Sequence, residues 1–139
     1  MEQKEHFIFL KSDDCIELFP NNKPDSFTYK LAEPLCLQGK GWNCALREFK
    51  TTVSTLRNLY VYCDIVEPSN VLGLKLPILR RLAPERIGRV IYTYDSSVAF
   101  RITRPIITNI CINIKEGEYT QTPLFEDEPS TCVLHLFQQ

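Results

Sequence analysis

The sequence is poor in the side chains that carry chemistry. It holds two histidines, His6 and His135, one methionine, one tryptophan and five glycines in 139 residues. Histidine is the side chain whose ordinary pKa lies nearest neutrality, so two of them at opposite ends of a chain provide little general acid–base machinery. Neither sign of charge dominates: sixteen Lys and Arg face seventeen Asp and Glu, a net charge of -1. That balance removes the compositional argument for a general nucleic-acid or anionic-membrane surface, while leaving room for a local patch. Long apolar runs are missing. Phe7 to Leu10 is followed at once by Lys11, too short a run for a signal-peptide core or a bilayer span. Synthesis in a reducing intracellular compartment without membrane insertion is therefore expected. Close cysteine pairs are also missing, since Cys15, Cys36, Cys44, Cys63, Cys111 and Cys132 stand singly, the nearest two eight positions apart. Zinc sites draw ligands in close pairs, so no metal and no cofactor is expected. Most of these thiols read as small apolar packers, and spacing alone selects no disulfide pairing.

What is present describes one folded domain over residues 1–139: 44% hydrophobic residues, 24% charged ones and nine prolines that punctuate short segments. His6 to Lys11 reads as a strand buried on both sides, with Phe7 and Phe9 on one face and Ile8 and Leu10 on the other. Cys15 to Phe19 reads as a second strand, ended by the Pro20 to Pro24 turn. Ser26 to Leu31 alternates cleanly, and Pro34 places Leu35 to Leu37 at a strand end or sheet edge. After the Gln38 to Gly41 turn, Trp42, Cys44 and Leu46 share one face of a strand, with Ala45 and Phe49 opposite. Leu59 to Val66 is the clearest strand. Ser69 to Pro84 reads as a long irregular connection. Arg89 to Tyr94, Val98 to Thr103, Asn109 to Lys115 and Thr131 to Phe137 read as further strands, and Gly117 to Ser130 as a solvent-facing loop. Eight or nine short strands without a long helix predict an all-β sandwich or barrel. Its expected core includes Phe27, Trp42, Leu46, Val61, Cys63, Ile65, Ile112 and Leu134.

Candidate chemistry is sparse. Asp13, Asp14 and Glu17 supply oxygens but no complete metal-ligand spacing. Asp64 and Glu67, three apart on a strand, would face opposite sides, which suits a structural Asp64 better than a paired-carboxylate site. Cys63 with His6 or His135 would need long-range folding to become a nucleophile and base, so no catalytic residue is assigned and an enzyme is not expected. Arg80, Arg81, Arg86 and Arg89, with Lys75, form the one basic concentration and suit contacts with acids on a neighbouring subunit. Tyr60, Tyr62, Tyr92 and Tyr94 would resemble a base-stacking platform if they shared one sheet. Their strands lack accompanying cations, so subunit packing is the preferred use and nucleic acid is not an expected partner.

Two blocks carry a family resemblance. LFPNNKPDSFTYKLAEPLCLQGKGWNCALREF, Leu18 to Phe49, and NLYVYCDIVEPSNVLGLKLPILRRL, Asn58 to Leu82, resemble segments of penton-like minor capsid proteins of Polinton or Maverick elements and adintovirus-like viruses. Arg104 to Lys115 and Thr131 to Phe137 are similar to that family's closing strands and follow in the same order. The resemblance implies a single jelly roll, an all-β sandwich of two antiparallel sheets with about eight strands. It further implies a structural capsid protein of the virion that forms a homopentamer at vertices, beside the major capsid protein and other minor capsid or spike proteins. Only the link from Lys50 to Arg57 separates the tryptophan and tyrosine-rich strands, where family members commonly carry an insertion, so a nearly bare jelly roll is implied. Candidate interface residues are Asn21, Asn22, Tyr60, Tyr62, Asp64, Glu67, Arg80, Arg81, Arg86, Tyr92 and Tyr94. A receptor- or carbohydrate-binding module on the same scaffold is the alternative, followed by a single-stranded nucleic-acid binder.

Overall fold

Period-two patterning gives each strand one face to bury, and most of this chain folds accordingly. The computed structural model describes residues 5–71, 73–116 and 128–138. Its strands in chain order are β1 (Glu5–Lys11), β2 (Ser26–Cys36), β3 (Trp42–Val53), β4 (Leu59–Cys63), β5 (Ser69–Val71), β6 (Leu74–Leu76), β7 (Ile78–Leu82), β8 (Gly88–Thr93), β9 (Phe100–Arg101), β10 (Ile106–Lys115) and β11 (Thr131–Gln138). One five-stranded sheet has the order β1-β11-β3-β8, with β9 also on β3. A four-stranded sheet has the order β2-β10-β4-β7, and β5 and β6 form a hairpin of their own.

The pairings are nested and antiparallel: β1 with β11, β2 with β10, β3 with β8, β4 with β7 and β5 with β6. The chain thus runs out along one limb of a ribbon and back along the other, turning at its tip between Val71 and Leu74. Gly73 in that turn has φ +78°, a conformation open to glycine and strained for side chains with a Cβ. Two further antiparallel pairings, β11 with β3 and β10 with β4, join separate parts of the ribbon side by side.

A single buried apolar cluster draws on both sheets. Leu46, Val61, Cys63, Ile65, Ile112 and Leu134 have no exposed surface, and Phe27 and Trp42 retain 2% and 6%. Burial of one such leucine is worth about 1.5–3 kcal/mol. The buried serine and threonine hydroxyls within this interior are paired, whereas among the described residues the buried Tyr92 hydroxyl and one Arg80 guanidinium nitrogen have no hydrogen-bond partner. Thr51 and Ser130 share a 2.8 Å hydroxyl hydrogen bond, and Ser130 N–H donates to Ser12 Oγ at 2.9 Å.

Several sequence expectations need correction. β1 is buried on one side only, because Phe7 and Phe9 lie on its solvent face while Ile8 and Leu10 enter the core. Cys15 to Phe19 forms consecutive turns, closed by Cys15 carbonyl bonds to Leu18 and Phe19, instead of a strand. β4 stops at Cys63, so Asp64 occupies a turn and Val66 only an isolated bridge to Ile102. Ser69 to Pro84 contains β5, β6 and β7 in place of an irregular connection. Among the described residues, eleven strands, several of two or three residues, therefore replace eight or nine. Gly117 to Ser130 falls largely outside the described residues.

Phe49 lies in the core beside Trp42, Cys44 and Leu46, not on the opposite face. The reason is a bulge: Val133 pairs with Glu48 while the next residue, Leu134, pairs with Leu46, leaving Arg47 as an extra residue in β3. One additional residue reverses the parity, so Phe49, Thr51 and Val53 share the interior with the even-numbered positions before it. Proline acts likewise in β2. Leu35 pairs with Ile107, yet the next pair is Lys30 with Asn109, so Pro34 lies in a stretch where ladder pairing is interrupted.

Candidate functional site

The tyrosines divide between two places. Tyr60 and Tyr62 alternate with buried Leu59, Val61 and Cys63, and so occupy the outer face of the four-stranded sheet. Lys115 Nζ lies 4.9 Å from the Tyr62 ring centroid. Tyr92 pairs with Phe49 on β3 and, with Tyr94, packs against the core cluster. Their rings are nearly parallel at 6.4 Å, and the Arg80 guanidinium sits 3.9 Å over Tyr94. Burial pushes the Tyr94 phenol up, and Arg80 partly opposes the shift. A four-tyrosine platform on one sheet is therefore not formed.

The arginines are likewise dispersed. Arg80 packs on Tyr94, Arg81 pairs in register with Tyr60 and is exposed, Arg86 is exposed, and Arg89 bonds Glu128 at 3.2 Å. Asp64 is internally engaged: its Oδ1 accepts from Cys111 N–H at 2.9 Å, and Arg104 donates to both its Oδ2 and its carbonyl. Glu67 and Asn21 are exposed.

Asn22 covers the outer edge of β2. Its side chain donates to the Thr28 carbonyl at 2.9 Å and accepts from Thr28 N–H at 3.0 Å, reproducing the two bonds of a neighbouring strand. Two residues along, the Cys15 thiol meets Lys30 N–H at 3.4 Å and the Lys30 carbonyl at 3.9 Å. An edge satisfied in this way is a poor template for a foreign strand. Asn22→Ala is expected to lower stability by about 1–2 kcal/mol and to increase aggregation, checked by urea unfolding and light scattering. Equal stability and scattering would remove this role.

On the outer face of the five-stranded sheet, His135 joins separate parts of the chain. Its Nδ1 lies 2.7 Å from Ser96 Oγ and its Nε2 2.9 Å from Glu5 Oε2. Phe7 and Phe137 stack on the imidazole at 4.4 and 4.8 Å, and Arg47 bonds both the Tyr94 carbonyl and Ser96 Oγ. This chain of bonds ties edge strand β1 and the link after β8 to the sheet. His6 is elsewhere, stacked on Trp42 at 5.6 Å. Cys63 is buried in the core, so the considered Cys63–His135 pair is not assembled. No local sequence motif announces the Ser96–His135–Glu5 contact, whose members lie up to 130 positions apart.

All six cysteines are free, and Cys44, Cys63 and Cys132 are buried. A hydrogen bond with Cys63, and then burial, holds the Cys44 thiol well above its ordinary pKa; burial does so for Cys132. Because thiolates are the reactive species, a maleimide is expected to modify exposed Cys36 first and the three core cysteines only after unfolding. Mass spectrometry of digests tests this order, and rapid native labelling of Cys44 or Cys132 would contradict it. Among the described residues, no group of three or more His, Cys, Asp or Glu side chains is arranged to hold a metal ion.

The outer face that carries His135 also presents large apolar groups left uncovered. Phe9 is 69% exposed, Ile91 59% and Phe7 47%. The opposite sheet presents Tyr60, Tyr62, Lys115 and Arg81 instead. No protein-family model and no curated protein sequence matches the chain.

Proposed function

We propose that this chain is a structural capsid protein, a penton-like vertex component built on a single jelly roll. The observation that carries the reading is the nested ribbon whose strands fall into the orders β1-β11-β3-β8 and β2-β10-β4-β7. An eight-stranded jelly roll arises when such a ribbon is rolled so that its paired limbs alternate between two sheets. The capsid role rests on the family resemblance of the two sequence blocks, and the scaffold is consistent with a part that acts by shape.

Self-association would cover Phe7 and Phe9 on β1 and Ile91 on β8, exposed apolar groups at the two edges of the same outer sheet face. A heterologous contact repeated around a fivefold axis closes on itself, whereas the same contact without closure grows into a filament. In this reading the homopentamer sits at a virion vertex, and its outer margins meet the major capsid protein and other minor capsid components.

Native mass spectrometry of the purified chain provides the test. The expected species has five times the 16.1 kDa mass of one chain, and Phe7→Asp with Phe9→Asp converts it to a folded monomer. A wild-type protein that stays monomeric at high concentration and is absent from assembled particles overturns the proposal.

A further inference from the structure

We propose that the recess between the Gly39-Lys40-Gly41 loop and the segment after β9 is a binding site for a small phosphate-type oxyanion. This inference is independent of the capsid reading. The recess has a volume of about 270 Å³ and is bordered by Lys40, Arg101 and Arg104, with no carboxylate residue in its lining. That size suits a small anion better than a drug-sized organic ligand.

The charge is incompletely neutralised within the protein. Arg104 bonds Asp64 at 3.3 Å, whereas Lys40 and Arg101 form no ion pair among the described residues. Arg104 is also held by the Asp64 carbonyl at 3.0 Å, so one cation is fixed in place before a ligand arrives. Guanidinium groups in this setting favour oxyanions through paired charge-assisted hydrogen bonds.

The loop backbone adds donors. Gly39 and Gly41 take φ +85° and +80°, conformations that let successive N–H groups turn toward a common concavity. Carbonyls in and beside the loop are engaged: Gln138 Nε2 donates to Lys40 O at 2.8 Å and Gln38 O at 3.4 Å, Asn43 Nδ2 donates to Gly41 O at 3.0 Å, and Trp42 Nε1 donates to Gln38 O at 2.8 Å. No hydrogen bond from the Gly39, Lys40 or Gly41 N–H is formed among the described residues. The loop is thereby held by bonds to the Lys40 and Gly41 carbonyls while its donors stay open, which reduces the ordering cost of an anion. Gly39 cannot be enlarged without disturbance, since an added Cβ would lie 2.6 Å from Gln138 Nε2.

Titration of the ¹⁵N-labelled full chain with orthophosphate, pyrophosphate and acetate at constant ionic strength tests the site. Pyrophosphate is expected to bind more tightly than acetate and to shift the amide resonances of Gly39, Lys40 and Gly41. Lys40→Gln or Arg101→Gln should each weaken pyrophosphate binding by about tenfold, the scale of one lost charge-assisted hydrogen bond. Lys50→Gln, on the outer face of the other part of β3, should leave it unchanged. Both site residues are exposed, and an unchanged melting temperature without ligand establishes that the variants fold. Equal weak binding of all anions, shifts scattered over every lysine and arginine, or full affinity in both site variants overturns the proposal.

Discussion

Deletion of His135 is expected to leave the protein unfolded, whereas deletion of Arg47 is expected to leave it folded. Both residues lie in paired central strands, and the difference is one of parity. In β11, Leu134 and Leu136 flank His135 and are fully buried. Removing His135 makes the two leucines adjacent, so a pleated strand must turn one of them, with everything beyond it, toward solvent. β11 lies between β1 and β3, and both pairings lose their register on one side of the deletion. Each misplaced leucine costs about 2–5 kcal/mol, and a domain of this kind holds only about 5–15 kcal/mol in total.

Arg47 is the extra residue of the bulge. Its deletion places Glu48 next to Leu46, opposite Val133 and Leu134 in an uninterrupted ladder, with Leu46 and Phe49 still facing inward. The losses are the bonds from the Arg47 guanidinium to the Tyr94 carbonyl at 2.8 Å and to Ser96 Oγ at 3.4 Å, the bond from Tyr94 N–H to the Arg47 carbonyl at 2.8 Å, and the guanidinium 5.9 Å from the Phe7 ring. These amount to about 2–4 kcal/mol, less than the roughly 5–15 kcal/mol that holds such a domain. Circular dichroism and amide proton dispersion distinguish the outcomes, and a folded His135 deletion or an unfolded Arg47 deletion would refute the parity argument.

Trp42→Ala should lower stability by about 3–5 kcal/mol, equivalent to a fall of roughly 10–20 °C in Tm for a chain of this size. The indole is 6% exposed, stacks on His6 and donates its N–H to Gln38 O at 2.8 Å. It therefore anchors the start of β3 and holds the turn before it. Trp42→Phe retains much of the ring and costs less, because Gln138 still reaches the Gln38 carbonyl. A thermal melt in which the alanine variant loses under about 1 kcal/mol would place Trp42 outside the stabilising core.

Local patterning specifies much of the scaffold. Ile110, Ile112 and Ile114 alternate with polar residues over a single β10, and all three are buried. Leu59, Val61 and Cys63 do the same in β4. Patterning was least informative in the Ser69 to Pro84 stretch, where Gly73 and Pro77 break the sequence into pieces as short as three residues. Those pieces become strands because partners elsewhere supply their hydrogen bonds: β7, for example, pairs with β4. The turns at Cys15 to Phe19 have the apolar content of a strand, but their backbone bonds close locally, and Cys15 bonds β2 through its thiol.

By itself, the sequence determined a chain of short alternating strands with mixed charge and apolar faces to bury, because side-chain alternation is local and needs no distant partner. Tertiary structure alone decided that Arg47 is a bulge, that the tyrosines separate into two places, and that Lys40, Arg101 and Arg104 border one recess. Those outcomes depend on register and closure between strands remote in sequence. A shift of one residue in that register reverses which face each side chain occupies, and no local pattern encodes it.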